Sequence, residues 1–214
     1  MKRSFAVAAL AVVFAVPAYA QVRITEWMYN GASGEFIEFS NMGSSPVDFT
    51  GWSFDDDSRM PGTVSLSAFG VVAPGQSVIL AEPDAASFRM SWGLASSVQV
   101  IGGNATNLGR ADELNLYDAT SALVDRLTYG DTVIPGTIRT LDVSGRPGSL
   151  AALGVNDVSL WVLSSVGDGA GSYAALEGNV GNPGIAPIPE PGTYAMLLAG
   201  LGMLALIARR RITS

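Results

Sequence analysis

Between residues 22 and 163 the apolar residues come in short runs broken by glycine, proline, serine and aspartate, the pattern of an all-β chain. Nine runs read as strands: 22–28, 35–41, 51–54, 64–69, 77–81, 98–101, 113–118, 123–129 and 158–163. Alternation is clearest in ELNLYD, where Leu114 and Leu116 share one face and Asn115 and Tyr117 the other. FIEF (36–39) carries apolar residues on both faces, as a strand covered on both sides does. Nine strands in one compact chain predict two sheets packed face to face, with Trp52 as a bulky core anchor. DAASFRMSWG departs from the pattern and predicts a short helix with Asp84 as N-cap and Gly93 as terminator. Phe88 and Trp92 would share one side of that helix and plug an end of the sandwich.

The two ends carry a different pattern. Lys2 and Arg3 precede an apolar stretch at 5–16, and Ala18-Tyr19-Ala20 forms an A-x-A site. Residues 1–20 therefore read as a secretory signal peptide cleaved after Ala20, with Ala18 and Ala20 as the small residues the peptidase requires. Residues 21–180 read as the folded domain. Beyond residue 163 glycine, asparagine and proline accumulate, and the boundary falls near 178–183. Residues 181–192 read as an extended linker stiffened by Pro183, Pro187, Pro189 and Pro191. Residues 193–214 read as a membrane helix with a basic tail. The uncharged span 194–208 would be about 22 Å long as a helix, short of the roughly 30 Å hydrocarbon core unless flanking residues contribute. Arg209, Arg210 and Arg211 follow at once and would stop transfer and stay on the cytoplasmic side.

Setting these ends aside changes the charge. The whole chain has 12 basic and 19 acidic residues. The signal and tail hold five of the basic residues and Glu190, so the body has 7 against 18, about −11. Such a surface repels phosphate backbones, and no nucleic-acid partner is expected. It suits divalent cations. The chain has no cysteine and no histidine, which removes disulfides, the usual zinc sites, and serine–histidine or cysteine–histidine nucleophile pairs.

Several stretches resemble lamin tail domains. GEFIEFSNMGSSPVDFTGWSFDD is similar to the family's opening, VVAPGQSVILA to its following turn and strand, and ADELNLYDATSALVDRLTYGD to its later hairpin. The similarity runs from 22 to 131 and resumes at SLWVLSS and GNVGNPG, while 132–156 depart from it. It implies an immunoglobulin-like β-sandwich and, in exported bacterial proteins, an accessory or binding module. Pro189-Glu190-Pro191, the apolar span and the terminal arginines resemble the PEP-CTERM sorting signal of Gram-negative bacteria. That resemblance implies cutting by an exosortase and transfer of the body to the outer surface or exopolysaccharide. Prolines on both sides of Glu190 keep the segment extended, the form in which a protease-like enzyme takes its substrate.

Candidate chemistry within the body is sparse. Asp55, Asp56 and Asp57 are the metal candidates, for calcium. They do not form an EF-hand, because Arg59 and Met60 fall where a ligand and the glycine belong. Glu35 and Glu38 are three apart on a strand, so they diverge instead of forming a catalytic pair, and Asp112 and Glu113 diverge as neighbours. The expected protein is a non-catalytic, exported β-sandwich without a required cofactor. Exosortase is its processing partner, its tail an anchor before processing, and polysaccharide or surface proteins its surroundings. The alternative is a polymer hydrolase or calcium-dependent binding module using dispersed carboxylates.

Overall fold

The computed structural model describes residues 22–130 and 136–187, and in the tail only Gly200 and Gly202. The expected signal peptide with Ala18 and Ala20, the triplet Pro189, Glu190 and Pro191, and Arg209, Arg210 and Arg211 lie outside the described residues. So does the apolar span 194–208, apart from those two glycines. Among the described residues no helix is long and apolar enough to cross a membrane.

The first seven strands are β1 (Val22–Met28), β2 (Phe36–Asn41), β3 (Val47–Asp48), β4 (Ser53–Asp55), β5 (Val64–Ser65), β6 (Val71–Val72) and β7 (Ser77–Ala81). The helix α1 (Ala85–Trp92) follows. The remaining strands are β8 (Gln99–Ile101), β9 (Ala111–Tyr117), β10 (Leu123–Gly130), β11 (Gly145–Pro147), β12 (Trp161–Leu163), β13 (Tyr173–Ala174) and β14 (Val180–Gly181). One sheet has six strands in the order β12-β11-β1-β2-β7-β8, the other four in the order β10-β9-β4-β5. β3 with β6 and β13 with β14 form short ribbons. The mostly-β chain is consistent with the expected sandwich.

Both sheets contribute to one apolar core: Ile24, Trp27, Ile37, Phe39, Val78 and Leu80 from the first, Phe54, Leu114, Leu116, Leu127 and Tyr129 from the second. Its anchor is Trp27, with ring centroids 5.3 Å from Tyr129 and 5.0 Å from Trp161. Trp52 is only half-buried and packs beside Phe49 at the margin. Gly145 allows this arrangement, because a Cβ there would lie 2.6 Å from the Trp27 ring.

The six-stranded sheet is covered on its outer face too, and β2 is buried at every position. α1 lies there, not at an end of the sandwich. β7 and β8 are parallel neighbours, and a parallel pair needs a crossover, which α1 supplies. Asp84 accepts the Ala86 and Ser87 amides, and Gly93 closes the helix in the left-handed region. Phe88 and Trp92 then pack on Met28, Phe36, Ile79 and Ala81, the outward-facing alternates of three strands.

A bulge between Ile24 and Glu26 decides the rest of this face. It sends Ile24 and Trp27 into the core although they are three apart, and turns Thr25 and Glu26 outward. Glu26 then stands directly opposite Glu38.

The expected strand 158–163 is a 3-10 turn, Val158–Leu160, followed by β12. β11, which the sequence pattern did not reveal, lies between β1 and β12 and so leaves β12 as the sheet edge. The stretch expected to be linker is packed as far as Ala186. β14 pairs with β13, Asn182 and Ala186 are buried, and Gly181 sits where a Cβ would meet Glu26 Oε1 at 2.7 Å. Glutamates reaching out from β1 and β2 hold this segment, and local composition did not reveal them.

Candidate functional site

Two groups of acidic residues stand out, one inside the molecule and one at its rim. The inner group lies on the polar half of the six-stranded sheet's outer face. Glu26 Oε1 accepts the Ser144 hydroxyl and, at 2.7 Å, the Asn182 amide. Glu38 Oε1 accepts the Thr25 hydroxyl at 2.7 Å, and its Oε2 accepts the Gly184 amide at 2.6 Å. Hydroxyls continue the network from Thr25 to Ser40 and Ser77, and from Ser144 to Ser164. Two neighbouring carboxylates thus hold the chain's exit segment, 182–184, against the sheet.

Burial raises the Glu26 carboxyl well above its ordinary value, and repulsion from Glu38 adds to this. Burial likewise pushes Glu38 up to about 7, against the hydrogen bonds that favour its ionised form. Arg146 lowers Glu26 only weakly and is itself paired with Asp168 at 3.0 Å. Glu26 Oε2 and Asn182 Oδ1 have no hydrogen-bond partner among the described residues. A cleft of about 400 Å³ opens beside them, lined by Thr25, Arg146, Asn182 and Pro187 among others. Two carboxylates in such a site favour holding a proton between them.

The rim group gathers around β9 and the turn after β4. Asp55 is fully buried and turns inward, accepting the Ser58 hydroxyl and the Met60 amide at 2.7 Å. Of the three aspartates expected as metal candidates, Asp55 organises the turn, while Asp56 and Asp57 meet Asp112, all within 4.8 Å by their carboxylate oxygens. Burial raises the Asp112 carboxyl, and Asp56 and Asp57 add repulsion. Glu113 leaves the strand the other way and receives Arg59 in a fork of 2.7 and 2.6 Å, which holds it down to about 2.

Glu35 and Glu38 diverge as expected. Glu35 accepts the Leu108 amide, and burial pushes it up to about 8. It lines a cleft of about 410 Å³ with Glu82, Asn30 and Asn107.

The lamin tail domain family model matches residues 15–131, more than half of the chain. The chain belongs to the lamin tail domain family. The PEP-CTERM protein-sorting motif matches residues 187–211, so this lamin tail protein carries the sorting signal that its Pro189-Glu190-Pro191 triplet suggested. That signal implies processing by an exosortase and an exported product. No curated protein matches the chain. The family match ends at 131, yet β11 and β12 complete the lamin tail domain's larger sheet, and the exit segment closes over Glu26 and Glu38.

Sequence reasoning missed Glu26, Asn182, Asp112 as a partner of the aspartate run, and Tyr129. Glu26 did leave a signal, since it is the one acidic residue in the run 22–28 and stands beside Trp27 and Met28. Asp112 left none, because only the β4–β9 pairing brings it to Asp56.

Proposed function

We propose that this protein is an exported, non-catalytic β-sandwich that exosortase delivers to the cell surface or exopolysaccharide matrix, where it serves a structural or adhesive role. The signal peptide at 1–20 starts its export. The span 194–208 anchors it in the inner membrane until processing, with Arg209, Arg210 and Arg211 inside. The observation that carries this reading is the join between body and signal. Packing extends to Ala186, and the matched sorting motif begins at the next residue. A cut within the motif therefore releases a body whose exit segment is still held by Glu26 and Glu38. Non-catalytic families on both matches support the same reading. Intact-mass measurement of the surface-associated protein tests it: the expected form lacks the arginine tail, and one retaining Arg209, Arg210 and Arg211 refutes sorting.

A second reading, a hydrolase of extracellular polymers, draws on the Glu35 cleft. A carboxylic acid still protonated near neutral pH beside a second carboxylate has the makings of a general acid. New reducing ends released from exopolysaccharide, and lost with Glu35→Gln, would establish it; their absence removes it.

A further inference from the structure

Asp56, Asp57 and Asp112 come from two separate parts of the chain, and their carboxylate oxygens lie within 4.8 Å of one another. Oxygens bound to one calcium ion at about 2.3–2.6 Å each are at most about 5 Å apart, so all three fit a single coordination sphere. The rim is pre-organised. Asp55 fixes the turn from inside, the Asn115 side-chain amide holds the Asp56 carbonyl at 2.6 Å, and Asp112 is oriented by the Gly109 and Glu113 amides. The cation in the same cleft, Arg59, is committed to Glu113 by its two-bond fork.

A second, independent feature points to a ligand. Tyr129 stands directly opposite Asp112 in the β9–β10 register, so both side chains leave the sheet on the same side. The residue is 1% exposed, and its hydroxyl has no hydrogen-bond partner among the described residues. Tyr129 lines the same cleft as Asp57 and Asp112. A buried phenol without a partner costs free energy, and a water on a hydrated cation would satisfy it.

We propose that Asp56, Asp57 and Asp112 bind one calcium ion at the rim of the sandwich, with Tyr129 hydrogen-bonding a metal-held water. Oxygen-only donors bearing three carboxylate charges select a hard cation, and an exported domain meets calcium at millimolar levels. Bound there, the ion would join the turn after β4 to β9.

The test is calcium titration of the purified full-length protein in detergent by calorimetry, with terbium luminescence excited through the aromatic residues as a second probe. The expected result is one calcium per chain, with a dissociation constant of about 0.1–1 mM, as in extracellular modules. Calcium should displace terbium over the same range. Asp57→Asn changes an exposed side chain, leaves folding intact by circular dichroism, and weakens binding about tenfold or more. Tyr129→Phe keeps the ring and weakens binding about tenfold through the lost water contact. The proposal is overturned if no saturable calcium binding is found up to about 10 mM. Binding that Asp57→Asn leaves unchanged overturns it equally.

Discussion

Glu113 and the Glu26–Glu38 pair are buried glutamates on the two sheets of one sandwich, and the fold treats their charges in opposite ways. Glu113 meets a guanidinium in a planar fork, and its carboxyl falls to about 2. Glu26 and Glu38 meet only hydroxyls, backbone amides and each other, and both rise. Residue type is shared, but Glu113 is less deeply desolvated and has a guanidinium at hand, so depth and partner together set the sign. Arginine neutralises the charge where it sits, whereas neutral donors leave two desolvated charges facing each other. The first arrangement ties neighbouring strands and turns together. The second ties the chain's exit to the sheet and leaves that tie open to pH.

The largest expected effect comes from removing the inner acceptor. Glu38→Ala leaves the Gly184 amide without its acceptor and the Thr25 hydroxyl with Ser40 alone, and the lost bonds should cost about 1–3 kcal/mol together. Glu38→Gln keeps an acceptor and sheds the charge, so it should cost less than about 1 kcal/mol at pH 6. Urea unfolding of both variants separates the two roles. Equal losses would mean that the side chain fills space and holds nothing.

Of similar size is the response to pH. Glu26 and Glu38 bind protons more tightly in the folded chain than in the unfolded one. Their contribution is complete below about pH 4.5 and is lost as pH rises, for Glu38 as it climbs through about 7. For Glu38 the loss is on the order of 3 kcal/mol. Glu35 adds a similar decline toward about 8. The protection factors of the Asn182 and Gly184 amides, the intrinsic exchange rate at each pH divided by the observed one, should fall over this range in the native protein and stay constant in Glu26→Gln/Glu38→Gln. A flat profile in the native protein would remove the contrast with Glu113.

A comparable effect is expected from Gly181→Ala. Its methyl group would enter the space of Glu26 Oε1 and Ser144 Oγ, at 2.7 and 2.9 Å, and should cost about 1–3 kcal/mol by thermal unfolding. The protection of the Asn182 amide should fall with it. The smallest effect belongs to Arg59→Ala, which removes an exposed partner. The Glu113 contribution is present above about pH 4.5 and fades as pH falls toward 2, so the variant should be slightly less stable than the native protein at pH 7 and converge on it as pH approaches 2.

Much of this fold was legible along the chain. The run 22–28, the hairpin around ELNLYD and the helix between Asp84 and Gly93 were read within a residue or two of β1, β9–β10 and α1. Each depends on side-chain alternation or on a cap a few residues away, and such signals are local. The sorting motif was legible for the same reason, as a linear word. The errors share a different cause. β11 is three residues of GRP with no apolar alternation, and it becomes a strand only because β1 offers it an edge. The segment beyond 178 has a linker's composition, and its order comes from carboxylates far away in sequence. Asp55 reads like its two neighbours, and only the curl of the turn separates an inward anchor from the carboxylates that meet Asp112.

What the sequence alone determined is the set of local elements, the acidic balance and the sorting motif that follows the body. Tertiary structure decided which charges meet. A bulge at Thr25 sets Glu26 against Glu38, and the path of the chain brings Asn182 back across 156 positions to bond Glu26. The reason is physical: alternation and capping act over a few residues, but the energy of a buried charge depends on whatever the fold places within a few ångströms of it.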